Sequence, residues 1–498
     1  MSIIKGKLSA VLLFLLSFAI LTRFNIDPDF GWHMAYGEVF LAGGEIIRGD
    51  PFSFTMPGYA WGNSYFLYQI IVAYIFNNFG YWFLAVLFGL VASISVLILF
   101  RAENSGIHTP DEVNLEARKR EPRPSGRGNL SFKNLNFTRS AFVILGTAIA
   151  ASNLGLRPHT FSFLFFAILL IFLEKGLFNK SKYMFLWFLF FVLWANIHRG
   201  FMMGILVFST FLLLDFFNKR MQKKKQELII YAGCLLAAIG GTFVTPFPLG
   251  LYKSGVFFDL TTFENLRYIA EWQPLVLVSP LSIFLAVSGV VFIKIFNKYY
   301  KRIGPTWIII AAFLFSFAYV AATFAFFWAA IFIFLVSRYL SFSLKMPDDF
   351  WSKVPIATSI LAVSLAFFLT FTAGLLESYD FEKRLVLDGY PVEALEYLEN
   401  KDYAKTGLFN AYEWGGFIDW KYTDIKVFID GRMAGWRRMD GTSILGDYIK
   451  IMKGNCEILS EFNVELALIK KNSNTPCFSE WEIEYQDDVA KILRRADI

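Results

Sequence analysis

Charged residues are scarce in this 498-residue sequence. Only 18% of the residues are Asp, Glu, Lys or Arg, and 56% are hydrophobic, whereas a soluble globular domain has about 25% charged residues. The apolar residues come in blocks long enough to cross a bilayer, which takes about 20 residues per helix. This composition excludes a soluble enzyme and a disordered protein.

Cysteine is also scarce, since the chain has only three. Three cysteines are too few for a disulfide framework, which excludes a disulfide-dense secreted module. The net charge of +6 does not require a nucleic acid as partner, because Lys and Arg collect in short loops between the apolar blocks, as membrane topology demands. What is present is the pattern of a polytopic membrane protein with one polar domain.

The apolar blocks predict eleven membrane-spanning helices. They cover residues 8–24, 81–100, 139–152, 160–174, 184–196, 201–218, 227–245, 281–297, 305–322, 324–338 and 355–376. The first block has no small-residue cleavage site before Arg23, so it is interpreted as a retained signal anchor rather than a removed signal peptide.

Basic loops set the predicted orientation in the cytoplasmic membrane. With the N-terminus inside, the clusters all fall on the cytoplasmic side, as the positive-inside rule requires: Arg101–Arg139, Lys175–Lys182, Lys219–Lys225 and Lys298–Arg302. This holds only if residues 64–79 form a helix at the outer interface instead of a span. Residues 102–138 are polar and are predicted to be a disordered cytoplasmic loop.

Two domains are predicted: a transmembrane domain over residues 1–376, with an outer loop at 25–80, and an extracytoplasmic α/β domain over 377–498. In this tail, VEALEYLEN and DYIKIMKGNCEILSEF predict helices, and KVFIDG and VELALIKK predict strands. Cys456 and Cys477 both lie there, in a compartment where disulfides form. The sequence leaves open whether they are bonded.

Ionisable side chains gather on the predicted outer face of the helices. Three histidines lie at outer helix ends, and charged residues accompany each of them: Asp27 and Asp29 with His33, Arg157 with His159, and Arg199 with His198. A fourth outer segment adds Glu264, Arg267, Glu271 and Trp272. Singly, such an Arg can snorkel to lipid headgroups and such a Trp can belong to an interfacial belt. Their convergence from distant loops predicts a site.

These groups suit sugar transfer from a lipid-phosphate donor. Arg157, His159, His198 and Arg199 are predicted to hold the donor phosphate, for which Arg is the better bidentate partner. A carboxylate takes the proton of an acceptor hydroxyl as it attacks the sugar carbon. A single displacement inverts the anomeric centre and needs no second carboxylate as an acid. A carboxylate pair could instead hold a divalent metal ion against the phosphate, and the sequence does not decide between these roles.

The first outer loop, DPDFGWHMAYGEVFLAGGEIIRGDPFSFT, followed by an interfacial helix, resembles that of GT-C membrane glycosyltransferases. The blocks LRPHTFSF, WANIHRGF, TPFPLGLY, EWQP and VFIDGR are similar to a bacterial branch related to the dolichyl-phosphate-mannose protein mannosyltransferases. The resemblance covers residues 25 to 435. It implies a polyprenyl-phosphate-linked sugar as donor, a glycan, lipid or protein acceptor outside the membrane, and an Asp of the first loop as base.

By this resemblance Asp27 and Asp29 are the candidates for the base, and Asp29 is preferred. His33, Glu264, Arg267, Glu271 and Trp272 are expected to line the substrate. One departure is that residues 318–330 carry no basic residue where the family leads us to expect one. The segment 412–418 is similar to the WWDYG block of oligosaccharyltransferases, which implies that Glu413 and Trp414 lie on the acceptor side.

Two alternatives to the transferase remain open. A transporter or flippase of a lipid-linked sugar would bind through the same groups, but it should place ionisable residues near the bilayer midplane and often shows inverted repeats, and the sequence displays neither. A non-catalytic envelope scaffold would bind a partner through the tail. The scaffold should tolerate Asp29→Asn and Arg199→Ala but not the loss of residues 377–498.

Overall fold

The computed structural model describes most of the chain. The described residues are 2–101, 132–218, 224–253, 267–274, 279–339, 380–401, 403 and 407–496. The predicted span at 355–376, Glu264, the domain boundary at 376/377 and most of the predicted loop at 102–138 lie outside these ranges.

Apolar helices make up most of the described residues up to Tyr339. They are α1 (Ser2–Leu21), α2 (Phe30–Gly43), α3 (Phe66–Phe100), α4 (Phe132–Ala151), α5 (His159–Glu174), α6 (Tyr183–Ile197), α7 (Phe201–Asn218), α8 (Lys224–Thr242), α9 (Pro280–Ile303), α10 (Pro305–Val320) and α11 (Ala325–Tyr339). By length and composition, three helical stretches within the described residues are able to cross a membrane: α3, α9 and Ala322–Tyr339. Shorter apolar helices accompany them.

Helix α3 is interrupted at Gly80, where the backbone is not helical (φ 80°, ψ 174°). A positive φ of this kind is accessible to glycine at no steric cost. The break divides α3 into residues 66–79 and 81–100, the same division that separates the predicted interfacial helix from the predicted span. That residues 66–79 lie on the membrane surface stays a prediction.

Helix α11 lies at the centre of the bundle. Every residue from Ala325 to Ser337 is buried, and α11 packs against α3, α4, α5, α9 and α10. A helix that is apolar all round is stable only where other helices enclose it. This core supports the end of α11 at Ala325–Phe327, which borders the site described below.

The C-terminal region combines short helices with one sheet. Its helices are α12 (Phe381–Leu387), α13 (Val392–Asn400), α14 (Gly415–Lys421), α15 (Ile444–Met452) and α16 (Glu457–Glu461), and its strands are β1 (Gly407–Asn410), β2 (Val464–Lys470), β3 (Glu482–Gln486) and β4 (Ala490–Arg494). The strand order is β1-β2-β4-β3. Strands β1 and β2 are parallel, and the other two pairs are antiparallel.

Two predictions for this region need correction. KVFIDG is not a regular strand, because the side chain of Asn410 accepts hydrogen bonds from the backbone N–H groups of Phe428 (2.8 Å) and Ile429 (3.3 Å) in place of a neighbouring strand. The segment predicted as one helix from DYIKIMKGNCEILSEF is two helices, α15 and α16. They separate at Gly454, whose φ of 101° no helix accommodates.

The outer loop after α2 is joined to this C-terminal region by backbone hydrogen bonds. Val427 N–H donates to the carbonyl of Phe52 (3.0 Å), and Phe54 N–H donates to the carbonyl of Val427 (3.2 Å). Val427 also bridges to Leu408 of β1. The outer loop therefore extends the edge of the sheet, which brings residues near the start of the chain to the tail.

Cys456 and Cys477 form a disulfide in the structure, 21 residues apart in sequence. A bond of this loop length stabilises a fold by about 3 kcal/mol, mainly by restricting the unfolded chain. We therefore expect that replacing both cysteines by serine lowers the thermal unfolding midpoint of the purified protein. Adding a reductant should lower the midpoint of the wild type and leave that of the double variant unchanged. A wild-type midpoint that ignores the reductant would contradict the prediction.

Candidate functional site

The acidic loop between α1 and α2 is held by its own hydrogen bonds. The carboxylate of Asp27 accepts a hydrogen bond from the backbone N–H of Asp29 (Oδ1, 3.0 Å), the kind of local turn that Asp favours. Trp32, in the first turn of α2, donates from Nε1 to Oδ1 of Asp29 (3.0 Å). Among the described residues, Oδ2 of Asp29 has no hydrogen-bond partner, so it remains able to accept a proton from a ligand.

A chain of ion pairs joins three of the predicted outer segments. Arg157 donates from Nε to Asp27 and from Nη1 to Glu271. These residues come from the α1–α2 loop, the α4–α5 loop and the segment before α9. The convergence predicted from sequence therefore occurs in the structure for Asp27, Arg157 and Glu271.

Burial and neighbouring charges shift the pKa values of these carboxyl groups. Burial, together with the adjacent charge of Asp27, raises the pKa of Asp29 to about 7. Burial also raises the pKa of Asp27, although Arg157 opposes it. For Glu271, burial is outweighed by Arg157 acting together with His159 and Arg199, and its pKa is lowered. Asp29 thus has the environment of a carboxyl group that can exchange a proton near neutral pH.

Glycines of the tail let it pack directly on the acidic loop. A Cβ atom on Gly31 would collide with the carbonyl oxygen of Gly416, and one on Gly431 would collide with Oδ1 of Asp29. The tail therefore packs directly against the acidic loop and the start of α2, and glycine is needed at positions 31 and 431 because any side chain there would clash.

A cavity opens beside the ion pairs. It is lined by His159, His198, Arg199, Gly200, Met202, Met203, Trp272, Phe317, Thr323, Phe324, Phe326 and Phe327. His159, His198, Arg199 and Gly200 come from the connections between α4 and α7, and Trp272 comes from the segment before α9. The remaining residues come from α7, α10, the short turn at Ala322–Phe324 and α11. The guanidinium of Arg199 lies over the ring of Trp272, 5.5 Å from its centroid. Few polar groups in an otherwise apolar cavity are typical of a ligand site.

The segment in which the family leads us to expect a basic residue borders this cavity. From residues 318–330, the cavity is lined by Thr323 and by the apolar rings of Phe324, Phe326 and Phe327. Among the described lining residues, the guanidinium of the cavity comes from Arg199 of the turn between α6 and α7.

Two other residues that were predicted to line the substrate, His33 and Arg267, are not among the residues that line the cavity. His33 is buried in α2 among the rings of Trp32, Tyr65 and Tyr68. Arg267 is exposed and lies over the ring of Tyr268. Glu264 is not among the described residues.

The two predicted acceptor-side residues make contacts inside the tail. Glu413 forms an ion pair with Lys470. Trp414 is buried and donates from Nε1 to the carbonyl of Gly389 (2.9 Å). The side chain of Trp414 therefore supports the tail from within, and Gly416, two residues later, reaches Pro28 of the acidic loop.

Sequence reasoning did not single out Arg432, whose side chain is fully buried. It pairs with Asp430 (2.5 Å), Asp50 (2.8 Å) and Asp419 (3.3 Å) and also donates to the hydroxyl of Tyr36 (2.8 Å). Asp50 and Tyr36 belong to the outer loop and α2, so Arg432 ties the tail to them. The only sequence signal was the block VFIDGR, which contains Arg432 without revealing its partners.

A second unpredicted ion pair positions the start of the acidic loop. Asp388 accepts a hydrogen bond from the backbone N–H of Ile26 (2.7 Å), and Arg384 holds the same carboxylate through two hydrogen bonds (2.6 and 3.0 Å). The residue immediately before Asp27 is therefore fixed by the tail.

The described residues do not present an evident metal site. No group of three or more His, Cys, Asp or Glu side chains within the described ranges is arranged to hold a metal ion. Asp27 and Glu271, two of the carboxylates at the site, are already engaged by Arg157. As arranged in this structure, the donor set does not fit a divalent ion.

Solved oligosaccharyltransferase structures are similar to this chain. The archaeal oligosaccharyltransferase AglB from Archaeoglobus fulgidus, in complex with an inhibitory peptide and a dolichol-phosphate, is 12% identical, with 93% of this chain and 69% of that chain covered and a TM-score of 0.53. The Archaeoglobus fulgidus oligosaccharyltransferase tethered with an acceptor peptide containing the NVT sequon is 13% identical, with the same coverage and a TM-score of 0.51. No family model matches the sequence, and no curated protein matches it.

At such low identity this likeness shows the fold. The chain has the GT-C fold of membrane glycosyltransferases, with a helical membrane domain followed by a C-terminal α/β region. The GT-C fold predicted from the sequence is thereby confirmed, whereas the relation to the dolichyl-phosphate-mannose protein mannosyltransferases stays a prediction.

Proposed function

We propose that this protein is an inverting glycosyltransferase that moves a sugar from a polyprenyl-phosphate donor to an acceptor on the outer side of the cytoplasmic membrane. The observation that carries the proposal is the convergence of three outer segments: Asp29 and the ion-paired Asp27, Arg157 and Glu271 adjoin a cavity lined by His159, His198 and Arg199. The GT-C fold and the dolichol-phosphate in the AglB complex support a lipid-phosphate donor.

In this proposal Asp29 is the base. Oδ1 of Asp29 is held by Trp32, so Oδ2 faces the acceptor hydroxyl and takes its proton while the hydroxyl oxygen bonds to the anomeric carbon. The bond from that carbon to the phosphate oxygen breaks, and the lipid phosphate leaves with the electron pair. One displacement inverts the configuration. Asp27 fixes the loop and orients Arg157.

Arg199 and Arg157 supply positive charge for the donor phosphate. A guanidinium can donate two parallel hydrogen bonds to a phosphate, and this interaction is stronger where water is excluded. Arg199 lines the cavity directly, and the apolar rings of α10 and α11 beside it suit the first carbons of a polyprenyl chain. A divalent ion would have to displace Arg157 to bind Asp27. No step of the proposed reaction depends on such an ion.

The first test compares extracted envelope glycans and glycolipids by mass spectrometry. The strains are a deletion, the deletion with wild type restored, and the deletion with Arg199→Ala restored at equal protein level. We expect a sugar-sized mass to disappear in the deletion, to return with wild type and to stay strongly reduced with Arg199→Ala. The mass difference then names the sugar.

Two outcomes would overturn the proposal. If Arg199→Ala restores the glycan fully and only loss of residues 377–498 abolishes it, the chain acts as a scaffold. The chain is a transporter if two results occur together. The deletion stops a lipid-linked sugar from crossing the membrane, and purified membranes of the deletion still form the glycosidic bond.

A further inference from the structure

The hydrogen bonds around His198 fix the position of its proton. Nδ1 of His198 accepts a hydrogen bond from the backbone N–H of Gly200 (3.1 Å). A backbone N–H can only donate, so Nδ1 carries no hydrogen. A neutral His198 therefore carries its hydrogen on Nε2.

A relay from the neighbouring helices strengthens this arrangement. Trp194 in α6 donates from Nε1 to the hydroxyl oxygen of Ser162 in α5 (2.7 Å), and that hydroxyl lies 2.7 Å from Nδ1 of His198. Because the Trp194 N–H occupies the Ser162 oxygen as a donor, the Ser162 O–H is directed at Nδ1. Two donors thus point at Nδ1, and a hydrogen placed there would displace both.

The opposite nitrogen of His198 has no partner. His198 is only 3% exposed, and within the described part of the chain its Nε2 makes no hydrogen bond; neither does Nδ1 of His159. The two rings lie 4.5 Å apart, and both line the cavity. A buried N–H without a partner is costly unless a ligand satisfies it.

We propose that His198 is a fixed neutral hydrogen-bond donor which, with His159, binds an oxygen of the transferred sugar, and that Ser162 positions it. This inference rests on the proposed function and changes the predicted role of the two histidines from the phosphate to the sugar. Arg199 and Arg157 keep the phosphate.

Charge distinguishes the two roles. A phosphate in an apolar cavity needs cationic partners, and the cavity supplies the guanidinium of Arg199 for it. An imidazole that is held neutral adds a hydrogen bond without charge, which matches a sugar hydroxyl or ring oxygen. The ring of Trp272 on the same cavity wall offers a flat apolar surface of the kind on which a sugar face can lie.

The groups facing His198 oppose its protonation. They are His159 and Arg199 in the cavity and His33 from α2; the ring of Tyr65 also faces His198 and carries no charge. Burial and these neighbours hold the pKa of His198 well below its ordinary value. No carboxylate is among the neighbours that shift it, so the hydrogen-bond arrangement and the surrounding charges favour the same neutral form.

The chain has only four histidines, so ¹⁵N-histidine labelling of the full-length protein in nanodiscs resolves each ring. We expect His198, assigned by its loss in His198→Gln, to keep the neutral form with hydrogen on Nε2 from pH 5 to pH 8. Ser162→Ala removes one of the two donors to Nδ1 and should shift the Nδ1 resonance, while the Gly200 N–H keeps the hydrogen on Nε2. Protonation of both nitrogens of the wild-type ring above pH 6 would overturn the fixed-donor assignment.

Lipid binding tests the sugar assignment. Undecaprenyl phosphate alone should bind His198→Phe and wild type within about twofold, and Arg199→Ala at least tenfold more weakly than wild type. Undecaprenyl phosphate carrying the sugar named by the envelope comparison should bind His198→Phe roughly tenfold more weakly, the loss of one good hydrogen bond. His198→Gln, whose amide N–H can replace Nε2–H, should recover most of this binding, which separates the donor role from a folding defect.

The two proposals fail differently. If His198→Phe weakens both lipids equally, the histidine binds the phosphate, and the sugar assignment is overturned while the transferase remains. If wild type binds neither lipid, the proposed function is overturned and the sugar assignment with it.

Discussion

Asp29→Asn should abolish sugar transfer while leaving the protein folded. The asparagine keeps an oxygen that can accept the hydrogen bond from Trp32, so the loop before α2 retains its support. It removes the charge that would accept the acceptor's proton. General-base catalysis contributes roughly 10²- to 10⁴-fold, and we expect the transfer rate in isolated membranes to fall by that factor. The apparent KM for the lipid donor should change little, because Asp29 acts on the acceptor.

The matched control is Asp424→Asn, at an exposed position of the tail. It changes the net charge identically and should leave the rate unchanged. Equal protein levels and equal thermal unfolding midpoints for the two variants are required before the rates are compared. A transfer rate for Asp29→Asn within threefold of wild type would remove Asp29 as the base. Loss of donor binding instead of rate would indicate that Asp29 acts on the lipid phosphate.

The site could be anticipated from the sequence because topology alone brings its residues together. Once the basic loops fix which helix ends face outward, Asp27, Arg157 and Glu271 must lie on one face, whatever their separation in sequence. The structure then joins all three through one guanidinium. Long apolar helices could also be anticipated, because a helix that crosses the hydrocarbon core of a bilayer must be apolar over about 20 residues.

Individual side-chain pairings between distant segments could not be anticipated in this way. Arg432 and Asp50 are 382 residues apart, and a lone arginine in a short glycine-containing turn resembles any solvated residue. Ser162 lies in an apolar helix, where a hydroxyl that bonds only its own backbone would be equally common. Its relation to His198 depends on how α5 and α6 pack, which hydrophobic periodicity does not specify.

Arg432→Met should destabilise the protein severely. Arg432 is the cation among the side chains of Asp50, Asp419 and Asp430, and all four side chains are fully buried. Breaking a buried ion pair by removing one partner costs about 3–5 kcal/mol, because the remaining charge has lost its compensation. We expect a large fall in the thermal unfolding midpoint and rapid proteolysis of the outer loop at residues 45–63, which this centre fastens to the tail.

Two control variants show whether the destabilisation comes from losing the buried guanidinium or from substitution in general. Lys383→Met removes an exposed ion pair with Asp380 and should cost no more than about 1 kcal/mol. Asp419→Asn should be nearly as mild. Burial and the charge of Asp430 hold the pKa of Asp419 well above its ordinary value, so asparagine, a neutral side chain of the same size, should disturb the charge balance of this centre less than the loss of the guanidinium does.

The contrast between these variants tests how the tail supports the proposed base. Gly431 lies against Oδ1 of Asp29, and Arg432 is the next residue, so the buried ion pairs fix the wall against which Asp29 rests. If Arg432→Met and Asp419→Asn destabilise the protein equally, the centre is simply a packed core that tolerates no change. If Arg432→Met alone is severe, one guanidinium holds the outer loop, α2 and the tail together, and the position of Asp29 depends on a residue near the other end of the chain.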